Sequence, residues 1–194
     1  MSHTIYHTEG LILSRRDYGE ANSLYQIFSR EFGLITVAAQ GTRYLKSKLR
    51  GQLALLMHGH FTLVRGREFW RLIGAEASPR LKALTQNREK SLVAVRVGNL
   101  FSRLVRGEEC QPELFSDLVF GLETLATNEK IIPEISERVI VLRLLSKLGY
   151  ISSGKLLAPW LAADLWHKTE WHMSDGVSRQ IVGAINNGLN QSML

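Results

Sequence analysis

Residues 23–38 read SLYQIFSREFGLITVA, and this stretch indicates the fold class of the N-terminal part of the chain. Two apolar runs, rich in β-branched and aromatic residues, flank a polar turn that ends at Gly33. Such runs favour strands, and a glycine between them lets the chain reverse direction. The stretch therefore predicts a β-hairpin over residues 24–38.

Further short strands are predicted on both sides of this hairpin. Residues 10–14 form a short apolar segment, and residues 53–64 form a longer one that turns at residues 65–67 into the segment 69–73. No convincing helical period separates these segments. Five short strands of this kind predict a small closed or partly open β-barrel such as the OB-fold. An SH3-like barrel fits the pattern almost as well.

The hydrophobic period changes after Pro79, where apolar residues begin to recur every three or four positions. Three helical stripes follow: Val93, Val97, Leu100 and Leu104; Leu114, Leu118, Leu122 and Leu125; Ile135, Val139, Leu142 and Leu145. Pro112 and Pro133 are placed to open the second and third helices, and Gly149 to cap the third. Segments 155–166 and 177–189 are weaker helical candidates.

These patterns predict an α+β protein with two domains. Residues 1–79 are expected to form the β-barrel, and residues 80–194 are expected to form an all-helical domain.

The positive charge is concentrated in the N-terminal part. The 194 residues carry a formal net charge of +6. Up to Arg80 there are 11 Lys and Arg against 6 Asp and Glu, whereas from Leu81 onward there are 13 against 12. No acidic residue occurs between Glu31 and Glu68, although several basic residues do. This distribution favours a polyanionic partner for the barrel.

Several classes of protein are disfavoured by the residues present. Cys110 is the only cysteine, so neither a disulfide framework nor a four-thiolate zinc site is expected. The N-terminus has no secretory pattern and the apolar runs are short, so we expect a cytoplasmic protein with no membrane contact. Two histidine pairs, His58 with His60 and His167 with His172, lack a recognised set of metal ligands. Without a nucleophile or phosphate-loop motif, we expect no enzyme activity, no metal and no cofactor.

The most informative local feature is the loop GTRYLKSKLR at residues 41–50. It offers four cations around an aromatic ring: Arg43, Lys46, Lys48 and Arg50 around Tyr44. Single-stranded nucleic acid is held by cations that neutralise phosphates and by rings on which bases stack. A solvated basic loop explains the composition equally well. Four more candidate DNA-binding residues extend the same face: Arg15, Arg16, Arg65 and Arg67.

A second feature lies on the predicted helix around residues 91–106. Arg96, Asn99 and Arg103 are spaced by three and four positions, with Arg106 near the edge of their face. A cationic stripe beside an apolar one suits an acidic peptide that ends in an aromatic residue. A solvated helix face is the commoner explanation of such charges. Arg143, on the third helix, is a further candidate for partner binding.

The order of these motifs resembles that of the RecO family of recombination mediators. EGLILSRRDYGEA (residues 9–21) and FSREFG (residues 28–33) resemble the family's opening strand and its next turn. The basic loop of the family resembles AQGTR (39–43), KSKL (46–49) and GQL (51–53), and its helical signatures resemble PELF (112–115) and LRLLSKLGY (142–150). The likeness covers most of the chain.

The resemblance implies that residues 1–79 form an OB-fold domain that binds nucleic acid, and that residues 80–194 form a helical domain that binds protein partners. It implies binding and annealing of single-stranded DNA. It implies contact with the acidic C-terminal tail of single-stranded DNA-binding protein. It also implies cooperation with RecR in loading the RecA recombinase, in the cytoplasm and at the nucleoid. Many relatives carry a four-cysteine zinc motif after the Leu-Gly-Tyr segment, and this chain does not. Residues 151–175 are therefore expected to form a reduced connection.

Two other functions fit the sequence. An OB- or SH3-like RNA-binding factor, associated with the ribosome, would show the same charge pattern. A protein-interaction adaptor whose basicity is incidental would bind neither nucleic acid in a salt-sensitive way.

Overall fold

The computed structural model describes residues 4–42, 53–152 and 154–192, which divide into two compact units. The first unit comprises residues 1–82 and 98–115, and the second comprises residues 83–97 and 116–194. The strands are β1 (Ile5–Tyr18), β2 (Asn22–Ser29), β3 (Gly33–Ala39), β4 (His58–Arg65) and β5 (Trp70–Ala77). The helices are α1 (Arg88–Leu104), α2 (Pro112–Thr127), α3 (Pro133–Lys147), α4 (Ala158–Leu161) and α5 (Asp175–Gln191), with 3-10 helices at Pro79–Gln86 and Ala163–His167.

The five strands of the first unit close into a barrel in the order β1-β2-β3-β5-β4. Neighbouring strands are antiparallel except β3 and β5, which run parallel where Val37 pairs with Trp70. Strand β1 pairs with β4 through its first half and with β2 through its second half. A β-bulge between Ile12 and Ser14 bends β1 between these two pairings. The fold is the predicted OB-type barrel rather than the SH3-like alternative, and it is followed by helices.

The predicted hairpin corresponds to β2 and β3, and it supplies much of the barrel core. Its turn closes at Gly33, whose φ of +65° lies in the left-handed region that glycine adopts without strain. Alternate side chains of the hairpin point inward and pack with residues from β4 and β5: Tyr25, Ile27, Ile35, Val37, Phe61, Leu63, Trp70 and Leu72. The intervening residues Gln26 and Thr36 lie only partly buried on the outer face.

Three strands have limits that differ from the predicted ones. Strand β1 begins at Ile5 rather than at residue 10, because the residues before Gly10 also pair with β4. Several of them are polar, so the apolar pattern did not predict this part of the strand. Strand β4 begins at His58 rather than at residue 53. Leu53 and Met57 instead reach the barrel core from the preceding turn. Strand β5 continues to Ala77, beyond the predicted end at residue 73.

The three main helical predictions are confirmed. Helix α3 begins at Pro133 and ends in a Schellman motif, in which Gly149 has a φ of +82°. There the Tyr150 amide donates to the Leu145 carbonyl at 2.9 Å, and the Gly149 amide donates to the Ser146 carbonyl at 3.0 Å. The buried stripe of the first helix is rotated relative to the predicted one, since Ala94, Phe101 and Val105 are buried and Leu100 and Leu104 only half-buried.

The second unit has its own core between α3 and α5. Its buried members are Val139, Leu142, Trp160, Leu165 and Ile181. The weakly predicted helix at 155–166 is reduced to α4 and a short 3-10 helix, whereas α5 is longer than predicted and starts at a Ser174 cap. None of the helices in the described ranges has the length and apolar character needed to span a membrane.

Candidate nucleic-acid interface

One end of the barrel collects several of the predicted DNA-binding positions. The end of β1 pairs with the start of β2, which pairs with the end of β3. Beyond β3, the Gly41 amide donates to Asn22 Oδ1 at 3.0 Å, and the Thr42 hydroxyl donates to Ser23 Oγ at 3.1 Å. These bonds fix the chain to this end immediately before the predicted basic loop. The loop residues Arg43, Tyr44, Lys46, Lys48 and Arg50 lie outside the described residues.

A groove of about 290 Å³ lies along β1, β2 and β3. Its lining consists of Ser14, Arg16, Leu24, Tyr25, Gln26 and Thr36. Ser14, Gln26 and Thr36 are directly opposite one another across the three strands, and the Ser14 hydroxyl donates to Gln26 Oε1 at 3.1 Å. The groove therefore combines a cation with a row of hydrogen-bonding groups.

Of the groove residues, Arg16 is a predicted DNA-binding residue. Ser14, Gln26 and Thr36 were not singled out, although each is a polar residue within an apolar strand. A period of two along both hairpin strands indicates that such residues share the outer face. Their alignment across three strands depends on the register, which the bulge in β1 shifts by one position.

An aromatic pair lies at the end of β1, two residues beyond the groove residue Arg16, and one of its rings is exposed. The rings of Tyr18, at the end of β1, and Phe69, in the turn between β4 and β5, contact each other edge-on with centroids 5.9 Å apart. Tyr18 is 46% exposed, so part of its ring faces solvent. The contact brings the β4–β5 turn, with the exposed Arg67, to the end of β1. An exposed ring next to cations is what base stacking requires.

Two of the predicted arginines already have intramolecular partners. Arg15 lies 3.8 Å from the Asp17 carboxylate, and its guanidinium stands 5.9 Å from the centroid of the Tyr25 ring. Arg65 forms an ion pair with Glu108 at 3.0 Å, and its guanidinium lies 5.0 Å from the centroid of the Trp70 ring. In the described part of the chain, Arg16 and Arg67 form no such ion pair.

The predicted cationic stripe is exposed on α1. Arg96, Asn99 and Arg103 face solvent, as does Arg106 just beyond the helix. Arg96 is paired with Glu137, to which it donates two hydrogen bonds of 2.7 and 2.6 Å. The hydrogen bond to Glu137 raises the pKa of Arg96 above its usual range. Leu92, one turn before Arg96, is also exposed and adds an apolar position to the stripe.

Arg143 has a different environment from the predicted one, because it is buried in the second unit with 6% of its surface exposed. Its Nε donates to both Asp117 carboxylate oxygens at 2.9 Å, and its Nη1 donates to the carbonyls of Trp160 and Ala162 at 3.1 and 2.8 Å. The guanidinium also lies 5.0 Å from the centroid of the Trp166 ring. Arg143 thus holds α2, α3 and the α4 region together, and an incoming peptide does not reach it.

The histidines that the structure describes show no arrangement for binding a metal. Within the described ranges, no three His, Cys, Asp or Glu side chains are grouped as metal ligands would be. His58 is buried and its Nε2 lies 2.9 Å from Glu9 Oε1, while Arg30 donates to Glu9 Oε2 at 3.0 Å. Burial lowers the pKa of His58 despite the opposing effect of Glu9. Burial alone would raise the pKa of Glu9, but Arg30 and His58 together lower it.

Comparison with known proteins gives consistent matches along the chain. Residues 1–79 match the family model for the N-terminal part of recombination protein O, and residues 85–153 match the model for its C-terminal part. A DNA repair protein RecO from Bacillus cytotoxicus is 30% identical over 141 residues, which is 73% of this chain and 56% of that protein. A protein of the same name from Desulfitobacterium hafniense is 28% identical over 146 residues, which is 75% of this chain and 52% of that protein. The chain thus spans about half the length of these relatives.

Proposed function

This chain belongs to the RecO family of DNA-repair proteins, and from that premise we propose that its barrel binds and anneals single-stranded DNA. The observation that carries the proposal is the juxtaposition at one barrel end of the groove, Arg16, Arg67 and the exposed Tyr18 ring. Cations can follow the phosphates, the ring can stack on a base, and the polar row in the groove can contact base edges. OB-folds bind oligonucleotides on the face of strands 2 and 3, where this groove lies.

We propose a binding and assembly role rather than an enzymatic one. Annealing requires no bond to be broken, because pairing is accelerated when two phosphate backbones are neutralised and their bases are kept accessible. Residues 43–50 follow Thr42 directly in sequence, and we propose that their four cations add to this neutralisation. Work on chromosomal DNA would place the protein in the cytoplasm at the nucleoid.

We further propose that protein partners are recruited through Arg96 and Arg103 of α1 and through Arg106 just beyond the helix. These cations and the exposed Leu92 suit the acidic C-terminal tail of single-stranded DNA-binding protein, which would bring the mediator to coated DNA. Cooperation with RecR and the loading of RecA would follow from that recruitment. Arg143 is not part of this proposal, since its buried guanidinium is already bound to Asp117 and two carbonyls.

Binding of labelled single-stranded DNA across a salt series tests the barrel site. Each phosphate contact contributes about 0.7 to the slope of log affinity against log salt concentration. The double variant R16A/R67A should therefore reduce the slope by about 1.4, and the quadruple loop variant R43A/K46A/K48A/R50A by about 3. The control K155A/R179A removes two exposed charges from the second unit and should leave the slope unchanged.

Other outcomes distinguish the remaining functions. If the barrel and control variants lose the same slope, the charges act only through net charge and the site proposal fails. Preference for RNA over single-stranded DNA in a competition assay would favour the RNA-binding factor. If neither nucleic acid bound in a salt-sensitive way, the adaptor would be favoured.

The variant R103E tests the partner site. It should weaken binding of an acidic tail peptide more than binding of bare DNA, and equal losses would contradict separate sites.

A further inference from the structure

The carboxylate of Glu108 lies between two groups that would otherwise be free to bind an anion. Its Oε2 is 3.0 Å from the Arg65 guanidinium, and its Oε1 accepts a hydrogen bond of 3.1 Å from the indole Nε1 of Trp70. The same guanidinium lies over the Trp70 ring, 5.0 Å from its centroid. A guanidinium and an indole N–H that converge on one carboxylate match the donors that a phosphate oxygen needs.

The backbone on both sides of Glu108 fixes where this carboxylate lies. The Gly107 carbonyl accepts a hydrogen bond of 3.1 Å from the Leu34 amide, at the start of β3. Gly33 lets the Glu109 backbone approach so closely that an added Cβ would lie 2.2 Å from the Glu109 carbonyl oxygen. The segment 107–109 therefore packs against the barrel through its backbone. These backbone contacts fix the position of Glu108.

The pair is also open to competition from solvent. The side chains of Arg65 and Glu108 are 62% and 42% exposed, and ion pairs of such exposure are individually weak. Trp70 is 3% exposed while Glu108 covers its N–H. A polyanion whose phosphate reached this position could replace the carboxylate without breaking the barrel core.

We propose that Arg65 and the indole N–H of Trp70 form a subsite for one backbone phosphate, and that Glu108 is its resident occupant. This inference rests on the proposed function, because the phosphate would come from DNA bound at the neighbouring barrel end. Glu108 then acts as an internal competitor that lowers affinity and makes binding less dependent on salt. Phe69 next to Trp70 links the subsite to the Tyr18 ring.

The variant E108Q tests the subsite, since a glutamine amide can still accept from Trp70 but no longer pairs with Arg65. For binding of single-stranded DNA, the slope of log affinity against log salt concentration should be steeper by about 0.7 than in wild type. The ratio of the E108Q affinity to the wild-type affinity should therefore be roughly 2.6-fold larger at 50 mM than at 200 mM salt. The double variant R65A/E108Q should lose this gain. E109Q removes the same charge one residue away and serves as the control.

The outcomes separate this inference from the proposed function. Equal slopes for E108Q and E109Q would overturn the subsite even if wild-type protein binds DNA well. If wild-type protein bound no DNA, the proposed function would fail, and the subsite would be tested with inorganic pyrophosphate by the NMR signal of the Trp70 indole N–H. That signal should move in E108Q and stay fixed in R65A/E108Q, whereas no movement in E108Q overturns the subsite.

Discussion

At the scale of single residues, Arg143 shows how a charged residue within an apolar run can be buried in the second unit. It lies in the run IVLRLL at residues 140–145, whose other members are all apolar and buried. Its guanidinium is nevertheless satisfied, because it meets the Asp117 carboxylate and the carbonyls of Trp160 and Ala162. Burial of a charge is tolerated only with such complete pairing.

Removing Asp117 should therefore destabilise the second unit strongly. The variant D117A leaves the Arg143 charge buried without its partner and should cost about 3–5 kcal/mol in free energy of unfolding, measured by urea titration. The exposed pair of Asp164 and Lys168, separated by 3.5 Å, provides the control, since D164A should cost less than about 1 kcal/mol. Equal costs would show that the buried pair does not hold this region.

His58 should make stability depend on pH. Burial lowers its pKa below the usual 6.5, so the unfolded chain takes up a proton more readily than the folded chain as the pH falls. Stability is then complete above about pH 6.5 and declines as the pH drops through the lower folded pKa of His58. The groups that act on His58 are Glu9, Arg80 and His60, with Arg30 bound to Glu9.

The melting temperature between pH 7.5 and 5.5 measures this dependence, above the range in which Glu9 takes up its own proton. H58Q should lose less stability over this interval than wild type, because glutamine does not titrate. H172Q, at an exposed histidine, should behave as wild type. A wild-type pH dependence in H58Q would assign the effect to another group.

At the scale of elements, two glycines with similar φ values allow backbone strain to be distinguished from steric overlap when a side chain is added. Gly19 and Gly33 have φ values of +62° and +65°. An added Cβ would meet nothing within 4 Å at Gly19, but it would lie 2.2 Å from the Glu109 carbonyl oxygen at Gly33. The β1–β2 turn is therefore open, and the β2–β3 turn is packed against residues 107–109.

G19A should cost about 1–2 kcal/mol of unfolding free energy, the price of a left-handed conformation. G33A should cost an additional ~1–3 kcal/mol, because the Glu109 backbone must move away from the new methyl group. Urea unfolding of the two variants provides the measurement. If both lose the same stability, the close approach of segment 107–109 is not maintained in solution.

At the scale of the whole molecule, we predict that folding and annealing need no metal. Trp160, Trp166 and Trp171 pack together around the segment after α3, with ring centroids 5.6 to 6.3 Å apart. Burying each such side chain contributes on the order of 1.5–3 kcal/mol, which in aggregate can replace a zinc clip. A strong chelator should leave the melting temperature and the annealing rate unchanged. Stoichiometric zinc in purified protein, with a lower melting temperature after its removal, would contradict this prediction.

The hairpin, a small β-barrel and the main helices were predictable from the sequence alone, whereas the choice between an OB- and an SH3-like barrel was not. These elements depend on local information, since a period of two or 3.6 and a glycine or proline at a boundary act within a few residues. The match between the hairpin predicted at residues 24–38 and strands β2 and β3 illustrates this. The family resemblance depended instead on the order of several motifs along the chain.

The pairing of charges and the grouping of polar residues on one surface depend on how distant parts of the chain pack together. Glu108 is 38 residues from Trp70 in sequence, Glu137 is 41 from Arg96, and Asp117 is 26 from Arg143. The alignment of Ser14, Gln26 and Thr36 likewise follows from strand register and a bulge. A local pattern shows which side of an element is apolar, but the packing of distant elements determines which polar group meets a given charge.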